Sequence, residues 1–246
     1  MALVSAHGTG IRANGSLASE AAREIKRLIL ADGLRPGDPL PSESELCDQM
    51  GVSRSSVREA IRTLQTLDIV QVRHGRGTFV GEMSLQPLVE TLAFRSIISP
   101  GDDFRALREV VDVRISLDLS FADRVTSHFK GSHNEMLHLL VGEMVASARR
   151  GEPFATADRQ FHTQLFSDSG CAMVSQLVAA FWDVHTAVLP QLAIPTPGDI
   201  ELTAKAHGDI LKAAEAGDAD AYRRAVHEHY APLLRVLDAT VTEPLV

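Results

Sequence analysis

The sequence predicts a mainly α chain in two parts: a small helical unit closed by a β-hairpin, then a larger bundle made of helices alone. Three observations carry this. Residues 40–80 hold two short, capped helical stretches and a glycine-rich hairpin in close succession. From about Ser84 onward, apolar residues recur at helical spacing while Pro and Gly fall mostly between the segments. The charge divides at the same place: residues 1–81 carry 10 Lys+Arg against 9 Asp+Glu, whereas residues 82–246 carry 14 against 23.

Residues 1–15 read as a flexible lead without the apolar core of a signal peptide. A helix over Leu17–Asp32 is broken by Pro36, Gly37 and Pro39. Ser42, followed three residues later by Glu45, is a capping box that opens a short second helix, and Gly51 closes it. Ser53 caps a third helix running to about Leu67, with one apolar face made of Val57, Ala60, Ile61, Leu64 and Leu67. Arg54, Ser55, Ser56, Arg58 and Arg62 begin that helix or face away from the stripe. Two strands follow, Ile69–Arg73 and Thr78–Val80, joined by the tip His74-Gly75-Arg76-Gly77, whose glycines permit positive φ.

This order makes residues 16–81 a winged helix-turn-helix. In that arrangement the N-terminal residues of the second helix of the pair meet base edges in the major groove. Arg can give two hydrogen bonds to guanine, Ser can bond bases or phosphates, and a helix N-terminus favours phosphate. A wing tip carrying His74 and Arg76 would lie over the DNA backbone or a minor groove. The net charge of −8 does not argue against this, because the acidic surplus belongs to the second part and leaves the basic helix as the attractive surface.

After a linker over residues 82–87, residues 88–246 read as an all-α effector-binding and dimerisation domain. Its helices are Gln86–Ile98, Asp102–Phe129, Asn134–Arg150, Pro153–Ser169, Cys171–Leu189, Asp199–Ala216 and Ala219–Val241. Asp158 and His162 share one helix face at i, i+4. His207 lies 10 residues before Gly217, and His229 lies 11 after Asp218, so an antiparallel helix pair would set them at one height. Three imidazoles and a carboxylate converging in a bundle core suit a divalent metal ion: zinc, nickel or manganese. His227 should face elsewhere, His185 has no partner at helical spacing, and His128, His133 and His138 read as solvated. The same four residues leave two alternatives open: a metal-dependent enzyme fused to a DNA-binding module, or a metal used only as a structural staple. No general base beside the ligands is apparent, which disfavours the enzyme.

At 246 residues the chain suits two domains and can bury a sizeable core. Cys47 and Cys171 fall one in each part, which fits a reducing cytoplasm better than a disulfide framework. No apolar run reaches membrane-spanning length, so no membrane partner is expected.

Two family resemblances add to this reading. The run PGDPLPSESELCDQMGVSRSSVREAIRTLQ with the wing HGRGTFV closely resembles the GntR family of bacterial transcription regulators over residues 17–81. The resemblance implies that Arg54, Ser55, Ser56, Arg58, His74 and Gly75 contact operator DNA. Many members carry Arg where this chain has Ser44, so operator preference is expected to differ. Asp158-x-x-Phe161-His162, His207-x-x-Ile210 and His229 resemble the FCD domain of the FadR-type members over residues 86–240. That implies a divalent metal on those four side chains, completed by a small carboxylate effector. Val113-Arg114-x-x-Leu117-Asp118 is similar to the same family's Arg-x-x-Leu-Glu helix, with Asp118 in place of Glu. It implies that Arg114 faces the effector; the competing expectation is an i, i+4 ion pair with Asp118. Members that lack the metal bind acyl cofactors, and the retained His/Asp set argues against that here. The implied function is a ligand-responsive repressor, not an enzyme, that binds a near-palindromic operator as a homodimer. Its effector would act through the linker around Gly81–Pro87.

Overall fold

The computed structural model describes residues 9–98, 105–188 and 197–241. Among them are eleven helices and one two-stranded antiparallel sheet. The chain divides into two compact units, Met1–Pro87 and Leu88–Val246. No helix of the described residues is long and apolar enough to cross a membrane.

The first unit contains α1 (Thr9–Ala31), α2 (Glu43–Met50), α3 (Arg54–Thr66), β1 (Val70–Arg73) and β2 (Gly77–Val80). Helix α1 starts at Thr9, inside the stretch expected to be a flexible lead. Extending a formed helix fixes one residue per new hydrogen bond, which is far easier than nucleating one, and Arg12 and Ala13 are good helix formers. The capping box opens α2 as the sequence predicts: Glu45 N–H donates to Ser42 Oγ at 3.3 Å, and Ser42 N–H donates to Glu45 Oε2 at 2.8 Å. Gly51 closes that helix at φ 64°, a conformation that costs a residue with a Cβ. Ser53 caps α3 by accepting from Ser56 N–H at 3.2 Å.

The buried face of α3 is Val57, Ala60, Ile61 and Leu64, packed with Ile25, Leu46, Val70 and Val80. Leu67 was expected on that face but is half exposed, because it is the C-cap residue and lies past the last turn that meets the core. The strands pair from Val70 opposite Val80 to Arg73 opposite Gly77. The hairpin thus starts one residue after, and its second strand one residue before, the predicted limits. Residues 37–40 run along the outer side of β2: Gly37 N–H donates to Val80 O at 2.9 Å, and Leu40 N–H to Thr78 O at 2.9 Å.

Beyond the wing the chain is tied down by Asp68. Its carbonyl accepts from Met83 N–H at 2.9 Å and its carboxylate from Ser84 N–H at 2.9 Å. Gly81 is required there, since a Cβ would stand 2.3 Å from Asp68 O. Helix α4 (Gln86–Ile98) then begins within the predicted linker.

The second unit continues with α5 (Arg105–Ser120), α6 (Ala122–Phe129), α7 (Glu135–Arg149), α8 (Ala155–Asp168), α9 (Ala172–Val188), α10 (Pro197–Ala216) and α11 (Ala219–Val241). One predicted helix, Asp102–Phe129, is two; its first three residues lie outside the described residues. The chain turns at Phe121 (φ −96°, ψ 3°), and Phe121 N–H and Val125 N–H still donate to Leu117 O and Phe121 O. Backbone hydrogen bonding continues through the bend, and neither Pro nor Gly marks it. The bend sets the Phe121 ring edge-on to Phe166, 6.1 Å between centroids. The core of this unit holds Leu107, Phe129, Met144, Phe161, Phe166 and Tyr222, all at most 2% exposed.

Candidate functional site

Two groups of side chains stand out, one in each unit. In the first unit, Arg54, Ser55 and Arg58 are exposed on the first turns of α3, and His74, Gly75 and Arg76 are exposed at the wing tip. Ser56 is not available with them. Its side chain is 2% exposed, and its Oγ lies 3.0 Å from that of Ser53. Ser56 therefore belongs to the cap of α3, and its expected place among the surface contacts is corrected. A partner the sequence did not reveal is Glu43 on α2, whose Oε2 accepts from Arg58 Nε at 2.7 Å. That hydrogen bond and its charge raise the guanidinium pKa further. The two residues are 15 apart on different helices, so no periodicity joins them.

In the second unit, Asp158 and His162 of α8, His207 of α10 and His229 of α11 converge, with one ligand-type atom from each lying within 4.8 Å of all the others. His162 Nε2 is 3.2 Å from His229 Nε2. Asp158 Oδ1 is 3.6 Å from His162 Nε2 and 3.5 Å from His207 Nε2. The matched helix heights bring the rings of His207 and His229 to 4.4 Å between centroids. His162 and His207 are at most 1% exposed, and His229 is 6% exposed.

Neighbouring groups set the orientation and charge of these side chains. His207 Nδ1–H donates to Thr203 O at 2.8 Å, which fixes the tautomer and leaves the Nε2 lone pair facing the cluster. Phe161 packs edge-on against the same ring, 5.1 Å between centroids. Trp182 Nε1–H donates to Asp158 Oδ1 at 3.2 Å. Burial pushes the His162 pKa down to about 3 and that of His229 well below the ordinary value, so both imidazoles are neutral, as metal ligation requires. Burial opposes the Asp158 charge, but the facing His207, His162 and His229 outweigh it and hold its pKa well below the usual carboxylate range.

Beside this cluster, Arg114 of α5 is 2% exposed. Its Nη1 lies 3.3 Å from His185 Nδ1 and its guanidinium carbon 5.3 Å from the Tyr230 ring centroid. Arg114 makes no ion pair with Asp118 within 4.0 Å, and the ring nitrogen Nδ1 of His162 stands 4.0 Å from Asp118 Oδ1. Asp118 Oδ2 instead accepts from Tyr230 Oη–H at 2.7 Å, and burial raises its pKa to about 6. His185, held near pKa 3 by burial and by Arg114, is a neighbour that helical spacing could not pair with it. Arg114 Nε, Asp118 Oδ1, His162 Nδ1, His185 Nε2, His207 Nε2, Tyr222 Oη and His229 Nδ1 are buried with no hydrogen-bond partner within the protein. Buried polar atoms cost about 1–3 kcal/mol each when unpaired, so this concentration marks a place built to meet something else.

The donor set fits a divalent ion. Neutral imidazoles and one carboxylate are the ligand types zinc, nickel and manganese accept, and the unpartnered Nε2 of His207 faces the other donors.

Comparison with known proteins places both sites in context. Residues 17–80 match the family described as bacterial regulatory proteins, gntR family, and residues 109–232 match the FCD domain. The galactonate operon transcriptional repressor of Escherichia coli (strain K12) is 24% identical over 190 residues, 77% of this chain and 83% of the relative. The putative L-lactate dehydrogenase operon regulatory protein of the same organism is 27% identical over 222 residues, 87% and 83% of the two chains. Among solved structures, a Streptococcus agalactiae GntR protein superposes with a TM-score of 0.63 at 28% identity, covering 89% of this chain and 99% of that one.

Proposed function

The chain belongs to the GntR family of bacterial regulatory proteins and carries an FCD domain, and from this premise we propose a repressor that senses a small carboxylate at a metal ion. It binds operator DNA as a homodimer in the cytoplasm and has no catalytic role. Arg54, Ser55, Arg58, His74, Gly75 and Arg76 meet the DNA. Asp158, His162, His207 and His229 hold the divalent ion, and Arg114 pairs with the effector.

The observation that carries this reading is the convergence of three buried imidazoles and a carboxylate beside a buried guanidinium with an unpartnered Nε. A bound divalent ion would supply a Lewis-acidic positive centre to an anionic ligand. The chain's own groups do the rest. The Thr203 carbonyl holds His207 in the ligating tautomer, and Trp182 steadies Asp158. A buried guanidinium is poorly compensated until an anion reaches it, which favours a carboxylate over a neutral ligand. Two relatives are regulators of galactonate and L-lactate dehydrogenase operons by name, and both named acids are small hydroxycarboxylates. Repression follows the galactonate relative.

An effector changes operator affinity only to the extent that it prefers one state of the protein over another. Binding to the folded site also stabilises it, by about 2.7 kcal/mol at a hundredfold excess over Kd. The test is thermal melting with small hydroxy acids, metal-loaded and after chelation. A cognate acid raises Tm in the metal-loaded protein alone. Equal stabilisation after chelation would rule out metal-bridged binding.

A further inference from the structure

We propose a second divalent-metal site, on the surface of the second unit, formed by His133, His138 and Glu215 and independent of the interior cluster. His133 lies in the loop before α7, His138 near the start of α7, and Glu215 near the end of α10. The two imidazoles stack, 4.2 Å between centroids with planes 25° apart, and both reach the same carboxylate. His138 Nε2 is 2.9 Å from Glu215 Oε1 and 3.0 Å from Oε2, and His133 Nδ1 is 3.7 Å from Oε1.

The carboxylate is held in place from the backbone side. Glu215 Oε1 accepts from Asn134 N–H at 3.1 Å, and the Glu215 carbonyl accepts from Gly131 N–H at 2.8 Å. Its side chain is only 16% exposed, and among the described residues its charge is met by these two imidazoles and by no Lys or Arg. Imidazole meets a carboxylate's charge fully only when protonated, and a divalent ion bound between these side chains would meet it instead.

Donors about 2.0–2.1 Å from a tetrahedral ion stand about 3.3 Å apart. The 2.9 and 3.7 Å separations bracket that value, and one ligand-type atom from each of the three residues lies within 4.8 Å of the other two. Two imidazoles and one carboxylate suit an imidazole-seeking cation such as Zn(II) or Ni(II), with water in the remaining positions. Its occupancy would tie the loop before α7 to the end of α10, the helix that also bears His207.

The test counts Zn(II) ions per chain on the metal-stripped full-length protein by native mass spectrometry. Wild type, His133→Ala/His138→Ala, Glu215→Gln and His207→Ala are compared. Both histidines are exposed, so their removal should leave the fold intact, and Gln keeps the hydrogen bond from Asn134. The site predicts that the double variant binds one ion fewer than wild type, that Glu215→Gln weakens that ion at least tenfold, and that His207→Ala retains it. An unchanged count in the double variant, or undiminished affinity in Glu215→Gln, would overturn it. A loss seen in His207→Ala alone bears on the interior cluster instead.

Discussion

With Nδ1 bonded to the Thr203 carbonyl, His207 can offer only Nε2 to the interior, and Asp158 stands 3.5 Å from that atom. Much of this cluster could be read from the chain. Asp158 and His162 sit one helical turn apart, and His207 and His229 lie at equal distances from one turn. Its surroundings could not be read, because Trp182 with Asp158, Arg114 with His185, and Asp118 with Tyr230 join different helices with no periodic relation. The same limit hid Glu43 from Arg58. Arg58 faces solvent on α3 with its guanidinium already oriented by that carboxylate. Replacing it with Ala should weaken operator binding on the order of ten- to a hundredfold at fixed salt. Unchanged affinity in a salt-controlled shift assay would remove Arg58 from the contact face.

At the scale of elements, caps and turns were the legible features. Ser42 with Glu45, Gly51 and Ser53 bound their helices as the local chemistry requires. The break at Phe121 was not legible, because no helix breaker marks it and the backbone hydrogen bonds continue through it. Nor was the junction after the wing, where Asp68 gathers Met83 and Ser84 and Gly81 passes too close for a side chain. Gly81→Ala should therefore destabilise the protein by about 1–3 kcal/mol, as overpacking does elsewhere. Urea unfolding would detect this as a lower midpoint at unchanged slope, and an unshifted midpoint would show that the junction yields freely.

For the whole molecule, buried histidines set a pH dependence in the metal-free state. His162 and His185 are held near pKa 3, chiefly by burial, and His229 well below its ordinary value, against about 6.5 in an unfolded chain. Below pH 6.5 the unfolded chain binds protons that the folded one refuses, so stability falls as pH falls. Asp118 acts in the opposite sense. Its pKa is raised by burial to about 6, so its contribution is present below the ordinary 3.8 and is lost as pH rises through about 6. Three imidazoles against one carboxyl leave a net loss on acidification, on the order of 1 kcal/mol per pH unit for each uncompensated group. The Tm of the chelated protein should drop steadily from pH 7 to pH 5. A flat or rising Tm would mean that these rings take up protons freely in the folded chain.

The division of charge belongs to this scale too: the second unit is acidic and the first is nearly neutral, with Arg54, Arg58 and Arg62 exposed on α3 and Arg76 exposed at the hairpin tip. The most direct test of the account is operator affinity at fixed salt, measured by fluorescence anisotropy with a panel of small hydroxy acids, before and after chelation. The account predicts that a cognate acid shifts the affinity several-fold in the metal-loaded protein, and that chelation or His207→Ala abolishes the shift. A shift of equal size in the chelated protein, or an affinity indifferent to every acid in the panel, would contradict it.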